Sequence, residues 1–196
     1  MIISFEGGEG VGKSTHSKRL MNHLNERGLP CLSLREPGGS PFSEQIRQLF
    51  FEEGLDPATE LLLVLASRRE NITKIIEPAL QEGKVVIIDR FIDSTLVYQG
   101  LLRGIGIDAV RKTMELTSTW LEPDLTFVLD VAPERSLARI KPGDKFENQG
   151  IEFHEKIHQG FKAIAKDRRH MLIDADQPKD VVSSIIIEAA DRLLSL

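Results

Sequence analysis

The sequence predicts an α/β fold, a five-stranded parallel sheet with helices on both faces. Three observations carry this. Apolar runs recur at residues 2–5, 31–34, 85–88, 125–131 and 171–173, with helix-compatible stretches between them. Alternation of strand and helix is the pattern of layered α/β proteins. The run Val85-Val86-Ile87-Ile88 has no polar alternation, as expected of a strand covered on both sides. A glycine-rich string follows the first run and opens a helix, the order found in doubly wound sheets with right-handed crossovers.

Each element has a local reason. The first helix, 13–27, should stop at Gly28, with Pro30 beyond it. Asp56-Pro57 reads as an N-cap with proline at the first helical position, opening a long helix towards Gln81 and Gly83. Pro78 near its end should bend or interrupt it. Pro133 introduces a short helix, 134–140, and stretches 149–168 and 179–194 read as the last two. The polar stretch 141–148 suits a surface loop, either a plain connection between helices or a lid closing on a nucleotide. There is no internal repeat or linker, so residues 1–196 are expected to form one domain.

Composition narrows the function. The net charge of −5 gives no general basic footprint for nucleic acid or an anionic membrane. The single Cys31 excludes an internal disulfide and suits a reducing compartment. Residues 1–5 are too short for a secretory signal, and the run 61–66 is too short to span a bilayer. A cytoplasmic protein is expected.

The chemistry begins at residues 7–14, Gly-Gly-Glu-Gly-Val-Gly-Lys-Ser, which is G-x-x-x-x-G-K-S. Glycines let the backbone curl so that several N–H groups converge on one anion, and the following helix adds its positive end. Lys13 should reach the β/γ-phosphates and Ser14 should offer a hydroxyl to Mg²⁺. Asp89 ends the apolar third strand, where phosphate-loop enzymes place a carboxylate that holds Mg²⁺ directly or through water; the alternative for Asp89-Arg90 is a capping or structural pair. Arg35-Glu36-Pro37-Gly38-Gly39 follows the second strand and belongs at the same rim. Arg35, Arg47, Arg68, Arg69, Arg90 and Arg139 are candidates for phosphate or carbonyl recognition. His154-Glu155-Lys156-Ile157-His158 matches the zinc-protease string H-E-x-x-H. With no spaced third ligand, it reads as two histidines on an ordinary amphipathic helix. Cys31 sits inside a strand pattern, where a thiol is inert.

Taken in order, these motifs resemble the bacterial type of the thymidylate kinase family over nearly the whole chain. Residues 5–15 resemble its phosphate loop with an internal carboxylate, and residues 35–39 its second motif, which has a cis bond before the proline. Asp89-Arg90-Phe91, Ser94-Thr95 and Tyr98-Gln99-Gly100 are similar to its signature. Asp144-Lys145-Phe146-Glu147, Phe153-His154-Glu155 and Gly160-Phe161 resemble its lid and the helix after it. The resemblance implies the three-layer P-loop kinase fold, a lid at about 141–150, and transfer of the γ-phosphoryl of ATP to dTMP with Mg²⁺. It also implies a homodimer, with no nucleic acid or membrane partner.

Residue by residue, it implies an ATP site of Gly7, Gly8, Glu9, Gly10, Val11, Gly12, Lys13, Ser14, Thr15 and Arg139. Ser14 and Asp89 would hold Mg²⁺. For dTMP, Glu9 would contact the 3′-hydroxyl and Arg68 the thymine edge. Arg47 and Arg90 would hold the phosphate, Thr95 and Gln99 would line the base pocket, and Tyr98 would pack on the deoxyribose. Glu36, Pro37, Val64 and Ser94 complete that site. No basic residue stands at positions 9–11, which resembles the type whose lid supplies the catalytic cation. Arg139 and Lys145 are the nearest candidates, with Lys141 third, so Lys13, Asp89, Arg139 and Lys145 form the expected catalytic set. Two positions depart from the family pattern: Val64 stands where a stacking Phe is usual, and Lys145 where the lid usually has Arg. The rival readings are a kinase for dUMP, UMP or CMP, and, from another class, a nucleotide-dependent switch.

Overall fold

The computed structural model describes residues 1–141, 143 and 145–195. Its sheet comprises β1 (Ile2–Glu6), β2 (Cys31–Arg35), β3 (Val85–Asp89), β4 (Leu125–Asp130) and β5 (His170–Asp174), all parallel, in the order β2-β3-β1-β4-β5. All five expected strands are present, within a residue or two of their expected ends. The order reverses direction beside β1, so the loop after β1 opens at the switch point, where such sheets bind ligands.

Side-chain alternation divides the core. Ile3, Phe5, Val85 and Ile87 pack on one face with Leu20 and Leu24 of α1 (Lys13–Glu26), and with Val182 and Ile186 of a C-terminal helix. Ile2, Val86 and Ile88 face the other way, onto Leu61, Leu65 and Met114. Val86, Ile87 and Ile88 are fully buried, each worth about 1.5–3 kcal/mol of transfer free energy.

Helix ends follow the local signals. Gly28 takes φ 79°, its N–H bonds Asn25 O, and Leu29 N–H bonds Leu24 O, the paired closure of a Schellman motif. Ser40 caps α2 (Pro41–Phe50). Asp56 caps α3 (Pro57–Asn71), its Oδ1 accepting from Ala58 and Thr59 N–H. The long helix is interrupted, as expected, but ahead of Pro78. A π-helical turn at Ile72–Ile76 leads into α4 (Glu77–Gln81), and this wider turn precedes the residue that cannot donate.

After β3 come α5 (Ile92–Thr95), a π-helical stretch Leu96–Leu102 and α6 (Ile107–Leu116). The remaining helices are α7 (Pro133–Leu137), α8 (Ile151–Ile164) and α9 (Lys179–Leu194). The sequence reading missed α2 and the helices from 92 to 116. For α2 the signal was present in Ser40-Pro41, a cap followed by proline at the first position. Among the described residues no helix is long and apolar enough to cross a membrane.

Candidate active site

The loop after β1 wraps tightly. A Cβ at Gly10 would lie 2.1 Å from Ser136 O, and one at Gly7, where φ is +130°, would lie 2.6 Å from Leu129 O. Only glycine fits there. Lys13, in the first turn of α1, folds back so that Nζ donates to Gly7 O at 3.2 Å and Gly8 O at 2.6 Å. Burial, with Arg90 nearby, pulls its pKa down to about 8 against the opposing pull of Glu9 and Asp89. An arriving phosphate would restore charge balance around it.

Ser14 Oγ donates to Asp89 Oδ2 at 2.6 Å. The pair combines a hydroxyl and a carboxylate at adjoining strand and helix ends, and hard oxygen donors of this kind suit Mg²⁺. Arg90 follows in the left-handed region, φ 65°, a costly conformation for arginine that marks a constrained site. Its guanidinium explains the constraint: it donates to Glu9 Oε1 at 2.7 Å, Gly7 O at 3.1 Å and Ser94 Oγ at 3.3 Å. Tyr98 O–H also donates to Glu9 Oε1, at 3.0 Å, and Arg90 lies over its ring. Burial alone would raise the Glu9 carboxyl, but Arg90 and Lys13 outweigh it and hold its pKa at about 2.

Opposite lies a second wall. The Glu36–Pro37 peptide is cis, as the resemblance implies. Arg68, 1% exposed, is held by Glu36 Oε2 at 2.7 Å, Phe91 O at 3.0 Å, Thr95 Oγ1 at 2.8 Å and Met114 Sδ at 3.2 Å. One of its five N–H groups remains without an acceptor among the described residues, so a base edge would find a single donor there. Arg47 donates to Pro37 O at 2.7 Å and lies over Phe51. Val64 is buried beside Phe50 and Phe146, and Phe50, Phe51 and Phe146 all line the cavity. These three rings supply the aromatic surface that Val64 lacks.

The two walls enclose one cavity of about 760 Å³. Every residue of the expected site lines it except Gly7, Gly8 and Lys145. Gly7 and Gly8 instead present carbonyls to Lys13. Arg35 also lines it, whereas Arg69 turns away to Ser118 O. Arg139 lines it from α7's end, bound to Asp176 at 2.8 Å and Ala175 O at 3.4 Å. Lys145 is seated elsewhere. Nζ donates to Phe50 O, to Glu52 O at 3.2 Å and to Glu60 Oε2 at 3.3 Å. Its neighbour Asp144 lies outside the described residues, as does Pro142.

The H-E-x-x-H string lies in α8 and its histidines diverge in role. His154 is buried edge-on to Phe153, while His158 pairs with Asp130, which also holds Lys162. Sequence reasoning missed several polar groups. Glu6 is fully buried; its Oε1 accepts from Phe91 and Ser94 N–H and its Oε2 from Ser94 O–H, which fixes the turn carrying Arg90. Glu60, Asp93 and Arg103 carry no local signal, because their partners lie dozens of residues away. His16, Gln177, Pro178 and Lys179 line the cavity near the start of α1.

A phosphate loop facing a second set of arginines across one cavity, at the carboxyl ends of a doubly wound sheet, defines a P-loop phosphotransferase. Comparison with known proteins narrows the class. The family model described as Thymidylate kinase matches residues 5–186. The chain is 45% identical over 199 residues to a thymidylate kinase of Synechococcus sp. (strain JA-3-3Ab), covering 100% of this chain and 98% of that one. It is 44% identical to one of Chlorobaculum parvum, covering 98% and 96%. The crystal structure of thymidylate kinase from Ehrlichia chaffeensis superposes with a TM-score of 0.79 at 36% identity, covering 97% of this chain and 98% of that one. The chain belongs to the thymidylate kinase family.

Proposed function

We propose that the protein transfers the γ-phosphoryl of ATP to dTMP, giving ADP and dTDP, a step towards dTTP. The observation that carries this is one cavity with cations on both walls: Lys13 and Arg90 against the phosphate loop on one, Arg47 beside Pro37 on the other. A switch protein needs only the first. In the transfer, an oxygen of the dTMP phosphate forms a bond to the γ-phosphorus while the bond to the bridging oxygen breaks. Little covalent chemistry is asked of the protein, so positioning and charge dominate.

The loop N–H groups would hold the donor phosphates, and Lys13 would leave Gly7 O and Gly8 O for the transferring group. Glu9, kept ionised, would fix Arg90 against the acceptor phosphate and reach the sugar. Ser14 and Asp89 would hold Mg²⁺, which supplies charge neutralisation at the phosphates. Arg139 already lines the cavity and is the better-placed cation; the 141–150 segment would act as the lid. We further infer a homodimer. Phe42, Leu49 and Leu62, on the adjoining helices α2 and α3, are half or more exposed, which supports it.

A coupled ADP-release assay with dTMP, dUMP, UMP and CMP tests the reading. Release should require dTMP, and Lys13→Ala should reduce turnover at least about a thousandfold while circular dichroism stays unchanged. ADP release indifferent to every monophosphate, or normal turnover in folded Lys13→Ala, defeats it.

A further inference from the structure

Glu60 lies in the first turn of α3 and is fully buried. A carboxylate so placed must be met by donors. Its Oε1 accepts from Gln99 Nε2 at 2.7 Å and Arg103 Nε at 3.3 Å. Its Oε2 accepts from Arg103 Nη2 at 2.9 Å and Lys145 Nζ at 3.3 Å. In all four contacts a Glu60 oxygen is the acceptor. Gln99 is its neutral partner, 2% exposed, and lines the cavity.

A primary amide has two unlike ends: the NH₂ donates and the oxygen accepts. Turned the other way, Gln99 would set its oxygen against a carboxylate oxygen, two acceptors with no hydrogen between them. Glu60 therefore permits one orientation. Gln99 Oε1 is left as the free acceptor, hydrogen-bonded to no donor among the described residues.

We infer that Glu60, which stands behind the cavity wall, is a positioning residue that sets base selectivity by locking the amide of Gln99. The locked oxygen welcomes a pyrimidine whose ring nitrogen carries a hydrogen, as in thymine or uracil. Cytosine in the same pose presents a lone pair at that nitrogen, and acceptor then meets acceptor. This inference rests on the proposed dTMP kinase reading and deepens it.

Steady-state kinetics with dTMP, dUMP and dCMP on wild type, Glu60→Gln and Arg103→Met test it. An amide at position 60 no longer dictates which end of Gln99 faces it. In Glu60→Gln the dTMP KM should rise about tenfold or more, with kcat and the ATP KM within about threefold. The dTMP-to-dCMP ratio of kcat/KM should shrink about tenfold or more, and dUMP should fall in step with dTMP. Arg103→Met removes a charged neighbour but leaves the Glu60–Gln99 bond. It should lower Tm and leave the base ratio within about threefold. A folded Glu60→Gln that keeps the ratio overturns the inference, as does an Arg103→Met that shifts it equally. If Glu60→Gln fails to fold, Glu60→Asp, which keeps the charge and withdraws it by one methylene, takes its place. A narrowed ratio in Glu60→Asp then supports the inference, and an unchanged one overturns it. A wild type inactive on all three nucleotides defeats the functional reading and this inference together. A dTMP-active wild type whose variants keep the ratio defeats only this inference.

Discussion

Ser14 Oγ donates to Asp89 Oδ2 across 2.6 Å, joining the first turn of α1 to the end of β3. The two residues are 75 positions apart, and the β1–β3 register sets Phe5 opposite Asp89. The sheet therefore fixes where the carboxylate meets the phosphate loop. Asp89→Asn keeps the shape and removes the charge. It should raise the Mg²⁺ concentration for half-maximal activity about tenfold or more and leave the fold intact. A Mg²⁺ titration in excess ATP decides this; an unchanged midpoint takes Asp89 out of the metal's surroundings.

Arg139 and Lys145 are distinguished by their present contacts. Arg139 lines the cavity on an exposed salt bridge to Asp176, which costs little to break. Arg139→Ala should lower kcat by at least about tenfold with a small change in dTMP KM, the form expected when a transition-state contact is lost. Lys145 is tied to Phe50 O, Glu52 O and Glu60, on the side of the cavity where α2 ends. Lys145→Ala should act first on Tm and on dTMP KM. If instead it reproduces the Arg139→Ala profile, the lysine leaves its seat during turnover and is the lid's cation.

Glu6 makes a pH prediction. Burial, then the neighbouring Asp93 carboxylate, raises its pKa to about 7, while hydrogen bonds from Ser94 and Phe91 oppose this. Asp93 can carry the charge because Arg169 holds both its oxygens at 2.7 Å and His170 adds a third contact. A carboxyl whose folded pKa lies above its unfolded value of 4.5 binds more protons when folded. Its contribution to stability is full below pH 4.5 and is lost as pH rises through 7. Glu6→Gln cannot titrate, and its amide can still accept from the Phe91 and Ser94 N–H groups. Urea melts from pH 4.5 to 8 should show wild type losing stability relative to Glu6→Gln as pH rises. A constant difference across that range means Glu6 is ionised throughout.

The strands and the phosphate loop were legible because their signals are local. An unbroken apolar run, a glycine string and a proline after a cap each act within a few residues. Among the arginines, Arg35, Arg47, Arg68, Arg90 and Arg139 reach the cavity and Arg69 does not, although Arg68 and Arg69 are adjacent. On a helix, neighbours in sequence point about 100° apart, and composition cannot show which one faces in. The buried acids Glu6, Glu60 and Asp93 were illegible for a deeper reason. Each is an ordinary charged residue until the fold brings donors from distant segments, and their burial is tolerable only through those donors.

Tyr98 bears on the choice of sugar. Its hydroxyl donates to Glu9, its ring stands edge-on to Phe146 at 5.3 Å, and Arg90 lies over its face. Burial, with the Glu9 carboxylate accepting its hydrogen bond, keeps the proton on the phenol. The ring and the hydroxyl therefore do separable things: one fills space, the other orients Glu9. If the ring occupies the position a ribose 2′-hydroxyl would need, a ribonucleotide meets a clash and a poorly solvated hydroxyl, costing about 1–3 kcal/mol. Tyr98→Phe keeps the ring, so it should lower kcat/KM for dTMP by a few-fold through Glu9 and leave the preference over the ribo-analogue intact. Tyr98→Ala admits water to that position and should narrow the preference by about tenfold or more, while lowering dTMP activity further. Both substrates are measured on all three proteins. Equal losses for the two sugars in Tyr98→Ala make the ring a packing element, and the discrimination then lies with another residue.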